Sequence, residues 1–393
     1  MHTLRHSFLQ HNAQTTEMPL LIEVERAEGV YLYGPDGKKY MDLISGIGVS
    51  SLGHSHPKII DAIKKQSEKY LHLMVYGEYV QSPQVLLAKK LASLLPEKLS
   101  NVYLCNSGTE AIEGAMKLAK RATGRSKILA CKNSYHGSTQ GALSIMGNEE
   151  YKQAYRPLLP GIEFIEFGNI KDIEKITHEH AALFIETIQG EAGVRLADKV
   201  YWSALKNKCK ETGCLLILDE IQCAFGRTGK MFAFEHYGIV PDVLVLAKAL
   251  GAGLPIGAFI SSKELMHTLA VNPILGHITT FGGHPLSCAA ALAGIEVLEE
   301  EHIIPNVQAK HDLFINKLKH PKIKEVRGKG LMLAVELESF EFNKKVIDRC
   351  IEKGVIVDWF LHCTNSMRIA APLTISHAEI DFACNVILES LEN

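Results

Sequence analysis

Three short segments place reactive side chains where a buried strand ends. In "PDVLVLAKALGAGLPIGAF", residues 241–259, Val243 to Ala247 reads as a strand buried on both faces, and Lys248 follows without a break. A lysine ordinarily marks a surface. Set at the exit of a wholly apolar strand, this strongly hydrated cation reads instead as an amine meant to react. "LLILDEIQ" runs straight into Asp219 and Glu220, and alternation sends these two side chains to opposite sides, so only one of them faces a pocket. A carboxylate at such a place needs a cationic or hydrogen-bonding partner. A structural salt bridge or a metal would serve equally, but no histidine or carboxylate cluster nearby supports a metal. "NVYLCNSGTEAIEGAMKLAK" sets Ser107, Gly108 and Thr109 at a helix start, with Glu110 completing a capping-box pattern. Free N–H groups and the helix dipole make that start an anion site; taken alone, it is a plain helix cap.

An anion cradle, a buried carboxylate and a buried lysine at neighbouring strand exits are together what pyridoxal phosphate requires. The cradle takes the phosphate, the carboxylate keeps the pyridine nitrogen protonated as an electron sink, and the amine bonds the aldehyde carbon. A dinucleotide site is the rival, prompted by "GAGLPIG" after a strand. Pro255 stands where a helix would already be running, and "AFISS" reads as another strand, so the rival fails.

These exits need an open sheet to hold them, since ligands collect beyond the carboxyl ends of parallel strands. From residue 101 onward, "NVYLCN", "KILACK", "IEFIEF", "ALFIET", "LLILDE" and "VLVLAK" alternate with longer helical or loop segments. Their apolar runs are continuous, as in parallel strands covered on both faces. The fold class expected is α/β: a large domain over residues 46–300 with a mostly parallel sheet, plus a smaller α+β domain over 301–393. In the latter, "IKEVRGKGLMLAVEL" reads as a hairpin, "SMRIAAPL" as a strand, and Ser376 with Glu379 as a capping box opening the last helix. "VYLYGPDGKKYMDL" is a hairpin around Pro35-Asp36-Gly37, and the segment 1–45 is expected to join the small domain. His54 and His56 read as a loop rather than a metal site, and His178 and His180 as the solvated end of a polar helix.

With 393 residues, 47% of them apolar and 22% charged, the chain has the composition of a soluble globular protein. Its formal net charge of −2 argues against a nucleic-acid surface. No apolar run is long enough to span a bilayer, and the start has no signal-peptide core. Nine unpaired-looking cysteines fit reduced thiols in a cytosolic enzyme.

The sequence resembles the class III (ω) aminotransferases, nearest the acetylornithine, ornithine and 4-aminobutyrate group, over nearly its whole length. "GIGVSSLGHSHPKIIDAI", "NSGTEAIEGAMKLA", "SYHGST", "ETIQGEAGV", "TTFGGHPLSCAAALA", "MRIAAPL" and above all residues 215–258 carry the likeness. The resemblance implies a fold-type I architecture, an obligate homodimer with shared active sites, and pyridoxal 5'-phosphate as cofactor. It implies that Lys248 bonds the cofactor and moves the substrate's proton, that Asp219 pairs with the ring nitrogen, and that Gln222 reaches the ring hydroxyl. Tyr135 and Ile221 would flank the ring, with His136 among the cofactor contacts. Ser107, Gly108 and Thr109 would hold the phosphate, together with Thr280 from the partner subunit. Glu191 and Arg368 match a pair in which the glutamate masks the arginine from one substrate and releases it for another. Ser138 stands where these enzymes usually carry a carboxylate-binding arginine, Ile47 where ornithine enzymes carry tyrosine, and His284 replaces a common asparagine. The activity implied is transfer from an ornithine-like, acetylornithine or other ω-amino donor to a 2-oxo acid, 2-oxoglutarate being expected. Alternatives are a pyruvate-dependent ω-amine transaminase, an aminomutase or decarboxylase, and a non-catalytic cofactor-binding protein.

Overall fold

Runs that are apolar at every position can leave neither face of a strand in water, and here they assemble into one covered sheet. A computed structural model describes residues 3–392. Its central sheet comprises β1 (Asn101–Cys105), β2 (Lys127–Cys131), β3 (Ile162–Ile165), β4 (His180–Glu186), β5 (Leu215–Asp219), β6 (Val243–Leu246) and β7 (Gly257–Ser261). The lateral order is β1-β7-β6-β5-β4-β2-β3. Neighbours are parallel except β7, which runs antiparallel to both β1 and β6. The exception has a simple cause. The link from β6 to β7 is a short turn through Lys248–Gly251, and a direct return of that kind can only make an antiparallel neighbour.

Alternation assigns each strand residue to one face. Leu216, Leu218, Leu244 and Leu246 join one apolar cluster. Ile217, Val243, Val245 and Phe184 join the other, with Ile112, Ala115, Leu118 and Ala119 of α1 (Gly108–Thr123). Burying each such Leu, Ile or Val is worth about 1.5–3 kcal/mol. The same alternation then decides where the acids at the strand ends point. Glu186 follows Ile185, and Asp219 follows Leu218, so both carboxylates fall on the face that α1 covers.

The rest of the chain frames this sheet. Tyr31–Tyr33 and Lys39–Asp42 form the expected hairpin, and Val355–Ile356 pairs in parallel with Lys39–Asp42, bonding the N-terminal segment to the C-terminal part. Glu325–Lys329, Met332–Glu336, Cys363–Ile369 and Asp358–Phe360 make a separate antiparallel sheet. The last helix, His377–Glu392, opens on reciprocal bonds between Ser376 and Glu379. Arg227, fully buried, donates to the Leu331 carbonyl (2.9 Å) and the Ser51 hydroxyl (3.0 Å), fastening the loop after β5 to both chain ends.

Two local expectations change. His178 is exposed, but His180 opens β4 and is buried, its ring held by Thr177 and Glu163. The histidine satisfies the polar edge of a core strand instead of facing solvent. His54 bonds Asp42 (3.0 Å) and His56 bonds Glu301 (3.2 Å), in keeping with a structural loop. Among the described residues no helix is long and apolar enough to cross a membrane, no group of three ligands could hold a metal, and all nine cysteines are free.

Candidate active site

The carboxyl ends of β4, β5 and β6 open into a cavity of about 600 Å³. Register aligns Glu186 with Asp219 and Asp219 with Val245, so the ends of these three strands lie side by side. Asp219, Lys248, Ser107, Gly108, Thr109, Tyr135, His136, Ser138, Ile221 and Gln222 all line the cavity. Ten positions read from the sequence thus meet in one place.

Asp219 is buried. Its Oδ2 lies 2.7 Å from His136 Nδ1, and its Oδ1 accepts from the Ile221 N–H at 2.9 Å. Burial alone would lower the pKa of His136, but the bond to Asp219 and its charge outweigh burial and raise it. The other ring nitrogen, Nε2, is buried without a partner. Glu220 points the other way, as alternation requires, and accepts from Thr187 Oγ1 and the Ala233 and Phe234 N–H groups. Burial pushes its pKa up to about 7.

Lys248 begins the turn after β6 with φ +49°, a left-handed conformation that costs a non-glycine residue roughly 1 kcal/mol. The strain turns the side chain out of the strand's alternation and into the cavity. Its amine makes no hydrogen bond or ion pair with any described residue. Burial lowers its pKa below the usual lysine range; the negative charge of Glu191 offsets part of that shift, and the positive charge of Arg368 deepens it. The amine therefore gives up its proton more readily than a free lysine.

Ser107 caps α1, its Oγ accepting from the Glu110 N–H at 3.3 Å. The second half of the expected capping box is displaced: the Glu110 carboxylate reaches past Ser107 to the N–H of Asn106 (2.8 Å) and its side-chain amide. That leaves the Ser107, Gly108 and Thr109 N–H groups free for an anion. A Cβ at Gly108 would lie 2.7 Å from Ile221 Cδ1. At Gly137 (φ +127°) it would lie 2.4 Å from Thr109 Oγ1, so both glycines keep the cradle open.

Beside the cavity lies a buried ion pair. Arg368 Nη2 meets Glu191 Oε2 at 2.7 Å, and both side chains are about 95% buried. Glu191 is held further by Gln222 Nε2 (3.0 Å) and the Leu361 N–H (3.1 Å). Burial pushes the Glu191 pKa up, but Arg368 and the Leu361 N–H overcome this and hold it below the usual range. Gln222 joins this pair to the cavity wall. Arg368 Nε and Nη1 are buried and unpartnered.

One expected contact is not made within this chain. Ile47 sits in a run of left-handed residues, Ser45–Gly48, and the wall from that segment is Val49 instead. Thr280, expected to act in the partner subunit's site, is exposed on the loop before the helix Pro285–Glu300 and does not line this chain's own cavity. His284 caps that helix, its Nδ1 accepting from the Leu286 N–H, a task asparagine also performs. Ser138 lies at the exposed rim, 3.3 Å from the Tyr135 hydroxyl.

The sequence reading missed Glu186. Burial, reinforced by Asp219, pushes its pKa up to about 7, while it accepts from the Tyr135 N–H (3.0 Å) and the Gly190 N–H (2.8 Å). The signal was available: "ALFIET" ends a buried strand in an acid as "LLILDE" does. The segment Trp359–His362, which holds Glu191 and Arg368, left no local signal.

The residues present fit pyridoxal phosphate. The cradle is open where a Cβ would close it, the lysine amine is unpaired, and the Asp219 carboxylate, oriented by His136, lines the cavity as a ring nitrogen would require.

Comparison with known proteins agrees. The family described as Aminotransferase class-III matches residues 12–391. Acetylornithine aminotransferase of Methanocaldococcus jannaschii is 42% identical, covering 94% of this chain and 93% of its own. The [LysW]-aminoadipate semialdehyde/glutamate semialdehyde transaminase of Sulfolobus acidocaldarius is 37% identical over 94% of this chain and 95% of its own. The crystal structure of ornithine aminotransferase from Toxoplasma gondii superposes with a TM-score of 0.91 at 30% identity, covering 98% of this chain and 93% of that one.

Proposed function

The chain belongs to the class-III aminotransferases, and from that premise we propose that it moves an amino group from an ornithine-like, acetylornithine or other ω-amino donor to a 2-oxo acid, 2-oxoglutarate first among them. The observation that carries this reading is the buried Glu191–Arg368 pair joined to the cavity by Gln222. An ω-amino donor brings a bare methylene to the reacting position, whereas a 2-oxo acid brings a carboxylate. One pocket serves both only if a positive charge is neutralised in one half-reaction and free in the other. The names of the relatives above support an amino donor of this class.

Pyridoxal phosphate, when bound, supplies an electron sink for the substrate carbon that loses its proton. This chain's residues do the rest. Lys248, its proton loosened by burial, would bond the cofactor and carry the substrate's proton. Asp219, oriented by His136 and the Ile221 N–H, would hold the ring nitrogen's proton. The N–H groups at the start of α1 would hold the phosphate. Tyr135 and Ile221 would hold the ring, and Gln222, which steadies Glu191, would serve its hydroxyl.

One observation favours a second acceptor. Lys248 is the only lysine or arginine among the described residues lining the cavity, and Ser138 replaces a carboxylate fork. Pyruvate, with a single carboxylate for Arg368, would then compete with 2-oxoglutarate. We also propose a symmetric dimer in which Thr280 reaches the partner's phosphate. Exposed apolar side chains beside it support a covered face: Phe281, next in sequence, is 52% exposed, and Val80, which lines one groove with Thr279 and Gly282, is 93% exposed. The free thiols are consistent with work in the cytoplasm. A donor-by-acceptor activity panel tests the reading: no turnover of any ω-amino donor with either acceptor would reject it.

A further inference from the structure

Arg368 lies on the strand Cys363–Ile369, between two neighbours in register: Ala334 on one side and Asp358 on the other. Opposed residues on antiparallel strands project to the same face with Cβ atoms about 4.5–5.5 Å apart. The guanidinium therefore shares its face with a second carboxylate besides Glu191, and the small Ala334 leaves room for both. Asp358 is half-buried, its Oδ1 accepting from the Trp359 N–H at 2.7 Å. Burial raises the pKa of its carboxyl, while the charge of Arg368 pulls it back.

The same short strand grips the arginine in other ways. The Trp359 carbonyl accepts from Arg368 Nη2 at 3.3 Å, and the Phe360 ring lies 4.6 Å from the guanidinium carbon. Glu191 engages only Nη2, so Nε and Nη1 remain without partners. The arginine is thus fixed in place, pairs with Glu191, shares its strand face with Asp358, and keeps free donors for a further carboxylate.

We propose that Asp358 is a specificity-determining residue, a standing negative charge that weakens Arg368's hold on the carboxylate of a 2-oxo acid while leaving the ω-amino donor unaffected. The inference rests on the reading that Arg368 receives that carboxylate. A 2-oxo acid places its negative charge next to the reacting carbon, where it meets both Glu191 and Asp358. An ω-amino donor has no charge at that point and meets only a neutralised arginine. Asp358 therefore tilts the pocket toward the amine half-reaction and against α-amino acids, and it does so even when Glu191 has let the arginine go.

The test compares full-length holoenzyme carrying Asp358→Asn, Asp358→Glu and Arg368→Met with the parent. Asparagine keeps the acceptor for the Trp359 N–H and removes only the charge. KM and kcat are measured for 2-oxoglutarate and for ornithine, and the binding of glutarate, which cannot react, is read from its thermal shift. Asp358→Asn is expected to lower the KM for 2-oxoglutarate and the Kd of glutarate roughly tenfold, the scale of removing one like charge at intermediate dielectric. The KM for ornithine and kcat should move far less, and Asp358→Glu should resemble the parent. Unchanged 2-oxoglutarate KM and glutarate Kd in Asp358→Asn, or donor and acceptor KM shifting together, would overturn the proposal. Arg368→Met separates the two layers. If it leaves the 2-oxoglutarate KM unaltered, the role given to Arg368 fails. If it raises that KM while Asp358→Asn changes nothing, only the inference about Asp358 fails.

Discussion

Replacing Glu191 by alanine should reveal both what the buried pair contributes to stability and what it does for selectivity. The substitution removes three acceptor contacts at once, to Arg368 (2.7 Å), Gln222 (3.0 Å) and the Leu361 N–H (3.1 Å). It leaves a guanidinium already lacking partners at Nε and Nη1 with only the Trp359 carbonyl at 3.3 Å. Breaking one side of a buried ion pair costs about 3–5 kcal/mol, because the surviving charge stays desolvated. The lower end applies here, since Asp358 remains beside the arginine. For 393 residues the unfolding entropy is on the order of 0.8 kcal/mol per kelvin, so a 3 kcal/mol loss should lower Tm by about 4 °C. Glutarate should recover part of that loss by supplying the missing carboxylate. In turnover, the permanently exposed arginine should shift the ratio of kcat/KM for ornithine over glutamate by about 10- to 100-fold toward glutamate. Differential scanning fluorimetry with and without glutarate, followed by the two donor assays, measures both effects. An unchanged Tm together with an unchanged donor ratio would show that the pair neither carries stability nor gates the site.

Other expectations follow from the same geometry. The folded pKa of Lys248 is lowered, so its reactive neutral form appears at lower pH than in a free lysine; the rate of cofactor attachment to apoprotein should rise with a midpoint below 10.5. Glu191→Gln should move that midpoint further down and Arg368→Met up, and opposite movements would reject the assigned charges. Borohydride should fix the cofactor at Lys248, which peptide mapping would show, and Lys248→Ala should lose turnover by several orders of magnitude. Asp219→Asn should keep the fold yet lose most of the rate, because a neutral amide cannot hold the ring proton; near-normal turnover would make Asp219 structural. Ser138→Arg should lower the KM for 2-oxoglutarate selectively, roughly 30- to 150-fold if it restores a charge-assisted fork, and no change would mean another residue already binds that carboxylate.

Much of this site could be read from the chain because its signals are local. A continuous apolar run followed at once by Asp219 or Lys248 states both the strand and its exit, and Ser107-Gly108-Thr109 states a helix start. Glu186 escaped because an acid at a strand end gains meaning only from the strand beside it, and that register is not written in either segment. The burial of His180, whose ring meets Glu163 on another strand, is likewise decided by a neighbour outside its own segment. The grip of Leu361 and His362 on Glu191 joins positions about 170 apart, and no spacing rule reaches that far. Antiparallel β7 was legible as a strand after Pro255, while its direction followed from the shortness of the preceding turn.

The distribution of charge around the cavity explains why its anion cradle is made of neutral donors. Lys248 must lose its proton to react, and every added cation nearby would lower its pKa further while drawing Asp219 away from the ring nitrogen. Among the described residues no arginine lines the cavity, and the nearest, Arg368, is held against Glu191. A phosphate received by backbone N–H groups and a helix dipole is neutralised without a mobile positive charge in the pocket. That choice favours the two glycines, because a Cβ at Gly108 would strike Ile221 and one at Gly137 would strike Thr109, crowding the helix start from both sides. Arg368 thus stays paired with Glu191 outside the cavity, which keeps its charge from reaching the phosphate cradle.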